Sequence, residues 1–273
     1  FTKGGNILHI QKLRDDWTEE AMAGLYQSLE SLVPPIDNDS FSISLHAKTH
    51  PNSFGVVQPL IEGDFDYRIK ASFDSNKKMV TTTIERRELN VDLLGTKYSE
   101  VFSNPLLKDS PYRLVDYKKG EFTKDYLARD LLAGFRGSDG DLEKLGDFTF
   151  TVSFAKNQAP AGKELEKYPY RNAEYTVRKD WLKRYGGIKI FRDHFRVRPY
   201  GEDGNDWLQL GERKASSPAG AGQELNAFRV GPNQVVGSVS ISRISNLAFQ
   251  DKSSREGLQE NDTFQLFKNL LKE

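Results

Sequence analysis

The stretch GGIKIFRDHFRVRPYG, residues 186–201, decides the fold class. Ile188 to Tyr200 spells two short strands turning at Asp193-His194. Alternation predicts Ile188, Ile190, Phe195 and Val197 on the core side, with Arg196 and Arg198 pointing away. Working outward, a basic amphipathic helix over about residues 172–185 runs into the pair Gly186-Gly187, which stops it. Before that helix, DFTFTVSF at 147–154 alternates cleanly, with Phe148, Phe150, Val152 and Phe154 on one face. After the hairpin, Pro218 to Gly222 predicts a flexible loop and Val235 to Ile241 another strand. Thr263 to Leu271 predicts a closing helix with Phe264, Phe267, Leu270 and Leu271 inward.

Further upstream, residues 64–75 and 78–90 form a predicted hairpin around a polar turn at Ser75-Asn76-Lys77. Tyr67, Ile69, Ala71 and Phe73 share one face of its first arm, and Val80, Thr82, Ile84 and Arg86 one face of its second. Residues 91–146 are less regular and read as an insertion, with one helix over 124–135 and a Gly/Asp-rich run at 137–141. The opening reads β-α-β: a strand over 6–13, a helix N-capped by Asp16 with Glu19 at the capping-box position, a stop at Pro34-Pro35, and a strand over 41–45. Met22, Leu25, Tyr26, Leu29, Leu32 and Val33 form the buried stripe of that helix, and its flanking strands are compatible with parallel pairing. Strands in mixed connection with a few helices predict an α+β fold, a mixed sheet with helices packed on one face.

The chain has 273 residues, enough to bury a core. Its 39 basic and 39 acidic residues cancel, which argues against a globally basic nucleic-acid binder. A charged fraction of 29% and a mean hydropathy of −0.63 exclude a membrane-embedded chain. With no cysteine, thiolate chemistry, disulfides and sulfur-ligated metals are excluded. The first residue is Phe1 and no secretory leader pattern precedes the first strand, so a trimmed part of a longer cytoplasmic chain is expected.

Few segments invite chemistry. His46 and His50, on a predicted strand, would stand about 13 Å apart, too far to share one ion; they read as half-exposed polar residues. Gly220 and Gly222 lack the third glycine and the Lys-Ser of a phosphate loop. Lys189, Arg192, Arg196 and Arg198 cluster on one hairpin opposed by Asp193. Such a cluster contacts phosphate, of nucleic acid or nucleotide, or forms a solvated face with ion pairs. The most specific run is Ser253 to Asn261 (SSREGLQEN). Serine caps a predicted helix start there, with Arg255 and Gln259 at i and i+4 on one face, placed to contact a terminal phosphate and an attacking water.

Ser254-Arg255-Glu256-x-Leu258-Gln259-x-Asn261 resembles the S-R-E-x-L-Q segment in the middle domain of the large heat-shock ATPase chaperones. The run Gly187 to Gly201, followed by Gly204-Asn205-Asp206-Trp207-Leu208, resembles a second-domain signature of bacterial ATP-binding proteins of the GHKL superfamily (gyrase, heat-shock chaperone, histidine kinase, MutL); microrchidia-type ATPases carry a looser version. Gly4-Gly5, the following strand, the helix after Asp15-Asp16-Trp17 and the strand at Phe41 resemble the segment that closes the Bergerat ATP-binding domain. Residues 91–146 lie outside the resemblance.

The resemblance implies residues 1–50 as the edge of a Bergerat-type ATPase domain and 51–273 as a transducer domain like ribosomal protein S-five domain two. It assigns Arg255 and Gln259 to catalysis, and Arg255 and Ser254 to nucleotide contact. ATP and magnesium are the implied cofactors of the full-length protein, with a separate ATPase domain as partner. A homodimer and nucleic acid stand as further candidate partners, and no membrane. The superfamily's E-x-x-x-N-x-x-D, D-x-G-x-G and glycine-rich lid are missing: Glu100 and Asn104 keep the first spacing, but position 107 is Leu. This chain alone is therefore expected neither to hold ATP well nor to hydrolyse it. Two other readings compete: a nucleic-acid-binding module using the 188–200 hairpin, and a non-catalytic interaction scaffold.

Overall fold

The structure, a computed structural model, describes residues 6–33, 42–57, 64–95, 98–110, 112–202, 204–216, 229–254 and 256–273. Gly4-Gly5, Pro34-Pro35, Phe41, the Pro218–Gly222 loop and Arg255 lie outside them. The chain divides into two units, Phe1–Ile61 and Glu62–Glu273. The strands are β1 Tyr67–Asp74, β2 Met79–Arg86, β3 Glu121–Leu127, β4 Phe148–Phe154, β5 Gly187–Arg192, β6 Phe195–Val197 and β7 Val235–Ile241. The α-helices are α1 Glu19–Glu30, α2 Val91–Leu94, α3 Leu114–Lys119, α4 Ala128–Leu131, α5 Asp139–Glu143, α6 Gly162–Lys167, α7 Tyr175–Tyr185, α8 Leu210–Ala215 and α9 Asp262–Lys272.

In the first unit the expected β-α-β is not formed among the described residues. Residues 6–13 adopt no strand, and Ile7, Leu8 and Ile10 are exposed. Alternation makes a strand only where another strand accepts its backbone bonds, and no described segment does so here. The predicted strand at 41–45 reduces to one antiparallel bridge, Ser44 to Val56, and His46 and His50 flank a turn closed by an Ala47–His50 bridge. Helix α1 is real but starts later than expected. Thr18, extended at ψ 162°, is the N-cap, its Oγ1 accepting from the Ala21 N–H at 3.2 Å.

The second unit is α+β, built on a seven-stranded mixed sheet in the order β3-β2-β1-β4-β7-β5-β6. All neighbours are antiparallel except β5 and β7. One row across it reads Lys124, Thr82, Ala71, Phe150, Val239, Ile190, Val197. The core lies on the face this row shares with Phe73, Val80, Phe148, Ile188, Val235 and Ile241. Leu132 after α4, Leu142 of α5 and Phe264, Phe267 and Leu270 of α9 pack onto it. Full burial of each such side chain contributes about 1.5–3 kcal/mol. The opposite face of β2 and β3 carries hydroxyls instead, Thr83 and Thr123 bonding at 3.0 Å. Among the described residues no helix is long and apolar enough to cross a membrane.

Two expectations inside this unit need correction. The helix predicted over 124–135 is the edge strand β3 followed by the single turn of α4. Phe122, Lys124 and Tyr126 also alternate, and the open edge of β2 takes their backbone, while only residues 128–131 keep helical form. Residues 91–146 thus add a strand to the sheet. In the β5–β6 hairpin, Asp193 and His194 make the turn with φ of 48° and 72°, the left-handed pair that joins strands by two residues. Its core side is right for Ile188, Ile190 and Val197, but Phe195 is 69% exposed because it sits past the packed helices at the sheet edge. Arg196 pairs across from Phe191 on the other face, and its side chain is only 7% exposed.

Candidate functional site

After β6 the chain turns back across β5. Gly201, at φ +69°, makes this possible: a Cβ there would stand 2.5 Å from the Ile188 carbonyl oxygen. The strap from Pro199 to Trp207 is then pinned twice. Trp207 Nε1 donates to the Ile188 carbonyl at 2.7 Å. Asp206 accepts from the N–H groups of Leu210 and Gly211, at 3.0 and 2.7 Å, and so seats the start of α8.

The second segment, Lys252 to Glu260, is not the helix the sequence suggested. It is a narrow excursion. The Gln259 N–H donates to Gln250 at 2.8 Å and the Lys252 N–H to Gly257 at 3.0 Å, with Asp251 and Leu258 bridged. Gly257 turns with φ +86°, a conformation that breaks helical continuation. The helix starts only at Asp262, with Asn261 as N-cap accepting from Phe264 at 2.9 Å. Ser254 Oγ accepts from the Glu256 N–H at 3.4 Å and so belongs to the tip of the excursion. Gln259 Nε2 donates back to the Asp251 carbonyl at 3.2 Å, bracing its base. Arg255 lies outside the described residues.

Tyr200 staples the two segments together. Its buried hydroxyl accepts from the Leu258 N–H at 2.8 Å, and its ring stands 5.2 Å from Trp207 and 5.8 Å from Phe264. Burial raises the Tyr200 hydroxyl above its ordinary pKa, partly offset by the bond to Leu258. Between the segments opens a cleft of about 520 Å³, lined among others by Tyr200, Asn205, Trp207, Lys252, Ser254 and Lys268. Tyr200→Phe leaves the buried Leu258 N–H without an acceptor. It is expected to cost about 1–3 kcal/mol in denaturant unfolding and to loosen the excursion in hydrogen exchange.

The four hairpin cations do not gather at one place. Lys189 Nζ donates to the last carbonyls of α7, Tyr185 at 2.6 Å and Gly186 at 3.3 Å, as a cation does at a helix C-terminus. Arg192 reaches the Asp251 carboxylate at 2.7 Å and the Phe249 carbonyl. Arg196 lies 4.0 Å from Glu202, and Arg198, 72% exposed, bonds to the same carboxylate. Sequence reasoning missed Tyr200, Asn205 and Lys268 as parts of a site. The available signal for Lys268 was its place four residues after Phe264, on the apolar side of a strongly amphipathic helix. Comparison with protein families, characterised proteins and solved structures found no match to this chain.

Proposed function

We propose that this chain is the transducer part of a cytoplasmic GHKL-type ATPase, coupling nucleotide bound outside these residues to a change in domain geometry. The observation that supports this reading is convergence. The segments that carry the resemblance, Gly187–Gly201 with Gly204–Leu208 and Ser254–Asn261, lie far apart in sequence yet are joined by one buried hydrogen bond, Leu258 N–H to Tyr200 at 2.8 Å. The excursion that carries Ser254, the sequence neighbour of Arg255, is thereby tied to the strap that crosses β5. A cation presented this way makes hydrolysis conditional on docking of a second domain, since phosphoryl transfer depends on positioning and charge stabilisation.

The boxes that hold a magnesium nucleotide in the superfamily are missing from the sequence. No three carboxylate or imidazole side chains among the described residues come together as a metal site, and Glu100 lies in a 3₁₀ turn, Ser99–Ser103, that ends at Asn104. The nucleic-acid alternative draws little support from the hairpin cations: Lys189 and Arg192 are engaged on the carbonyls of Tyr185 and Gly186 and on Asp251 and Phe249, and Arg196 and the exposed Arg198 face the Glu202 carboxylate. The testing experiment is ATP turnover by the purified chain, with phosphate release as the readout. The expected result is none above buffer. Turnover that a point substitution within residues 1–273 abolishes would refute the reading. On this reading, a protein that joins this chain to a nucleotide-binding domain of that superfamily is expected to hydrolyse ATP.

A further inference from the structure

Strand β3 is an open edge of the sheet. It pairs with β2 over its whole length, Glu121 to Leu127, without a bulge or a proline. Two bonds just beyond its ends fix which residues face β2. The Arg86 N–H donates to the Gly120 carbonyl at 3.0 Å, and the Ala128 N–H to the Lys78 carbonyl at 2.9 Å. Bonded pairs in an antiparallel ladder recur at every second residue. Phe122, Lys124 and Tyr126 are therefore bonded to β2, and Glu121, Thr123, Asp125 and Leu127 turn their N–H and C=O groups outward. Those four residues are exposed, and no hydrogen bond among the described residues engages their outward backbone. Natural edges are usually shortened, bulged or covered; this one is left as a full-length template.

Its side chains specify a partner. On one face Glu121 and Asp125 flank Thr123, which bonds to Thr83 at 3.0 Å, while Thr81 donates to Asp125 at 2.6 Å. Glu121 stands directly across from Glu85, which already takes Lys70 at 2.8 Å and Arg87 at 3.4 Å. Like charges directly opposite are destabilising, so Glu121 favours a cation on its open side. On the other face the exposed Lys124 lies 4.7 Å from the ring centre of Tyr126, and Phe122 and Tyr126 are half-buried. The same charges disfavour a second copy of the strand. A two-fold axis between antiparallel edges must set one residue opposite itself. Centring it on Thr123 places Glu121 against Asp125, centring it on Lys124 places that ammonium against its copy, and centring it on Asp125 does the same for the carboxylate.

We infer that β3 takes an additional antiparallel strand, a basic extended segment of another protein. The segment's backbone bonds the outward groups of β3. Lysine or arginine lies opposite Glu121 and Asp125, a carboxylate opposite Lys124, and apolar side chains opposite Phe122 and Tyr126. Main-chain bonds give such an addition its affinity, and alternate side chains give it selectivity. Strand β3 belongs to residues 91–146, outside the GHKL resemblance, and the inference does not rest on the ATPase reading.

The test titrates the whole chain with the acetylated and amidated heptapeptide TVKETYK. In antiparallel register it sets lysines opposite Asp125 and Glu121, and glutamate opposite Lys124. One control is TVEETYE, with both lysines replaced. The other is TVKETYK N-methylated at its third and fifth residues, which keeps the charge and loses two donors to β3. Binding and amide exchange are read residue by residue by NMR. TVKETYK is expected to bind saturably with a Kd below about 1 mM. Exchange at the outward amides of Thr123 and Asp125 should slow at least tenfold, with little change at Lys124, already bonded to β2. Each control should bind at least tenfold more weakly. Glu121→Lys combined with Asp125→Lys, both at exposed positions, should reverse the preference between TVKETYK and TVEETYE, which a lost fold cannot imitate. No saturable binding up to about 5 mM overturns the inference. So does equal binding of either control, or binding without protection of the Thr123 and Asp125 amides. An unchanged preference in the folded double variant overturns it too; if that variant does not fold, the two control peptides on the wild-type chain decide. A dimer of the chain that TVKETYK dissociates would place a second copy on the edge and overturn it as well.

Discussion

Arg178→Ala lowers the stability of the second unit by about 3–5 kcal/mol, the cost of removing one partner from a buried ion pair. Arg178 of α7 is 2% exposed and forms a fork on Asp66, with Nη1 and Nη2 at 3.0 and 2.9 Å from its two oxygens. Its Nε donates to Asp64 at 2.7 Å, and Arg171 bonds to the same carboxylate. Asp66 also accepts from the Lys156 N–H at 2.7 Å. The network ties α7 to the start of β1 and the end of β4, and alanine leaves Asp66 buried beside an empty guanidinium site. Arg178→Met with Asp66→Asn removes both charges while keeping an acceptor for Lys156. The double variant should therefore lose less than the two single losses added, by about 0.5–3 kcal/mol in a double-mutant cycle. A single-variant loss under about 1 kcal/mol in urea unfolding would contradict the assignment.

The same network sets an acid dependence. Burial pushes the Asp64 carboxyl up, but the hydrogen bonds from Arg178 and Arg171 outweigh it and hold the group below its usual range. A carboxyl whose folded pKa is depressed adds stability that is present above its unfolded pKa, about 3.9, and lost as pH falls through the folded value. Wild-type stability is thus expected to fall below about pH 4. Arg178→Ala, having lost the main cause of the depression, should show a shallower fall across that window.

What the sequence revealed follows from which signals are local. The strands 67–74, 148–154 and 235–241 and the helix 262–272 were readable because both faces of each meet a fixed environment, apolar on one side. Residues 6–13 misled because period-two alternation says nothing about whether a partner edge exists. Residues 121–127 misled in the opposite sense: Tyr126, Leu127, Leu131 and Leu132 satisfy a helical stripe, and only the open edge of β2 selects the strand. The cleft was illegible for another reason. Its parts are ordinary in isolation, an Asn in a turn and a Lys on a helix, and become unusual only once Tyr200 brings 199–207 against 252–260. The excursion at 252–260 was misread because serines before a charged run imitate an N-cap; Gly257 at φ +86° was the local sign against a helix.

If the proposed ATPase reading holds, Arg255→Ala in a protein that joins this chain to a nucleotide-binding domain is expected to slow hydrolysis by about a hundredfold or more, the scale for removing one transition-state charge contact. The sequence-based case for this residue leaned partly on a helix N-terminus beside it. The described neighbours remove that part: Ser253 and Ser254 form a turn, Gly257 breaks the chain direction, and the helix begins at Asp262. The expected effect therefore falls on the guanidinium itself, next in sequence to Ser254 of an excursion braced by Tyr200 and Gln259. Arg255→Lys keeps the charge but loses the bidentate fork, so it should recover only part of the rate. Gln259→Ala, which removes a brace to the Asp251 carbonyl, should cost less than Arg255→Ala. Thermal unfolding of Arg255→Ala should shift by no more than a surface substitution does, within about 0.5 kcal/mol, which separates a lost catalytic contact from a lost fold. Full activity in Arg255→Ala would remove the residue from the mechanism. Equal losses in Arg255→Ala and Gln259→Ala, with a matching drop in stability, would make the excursion a structural feature and nothing more.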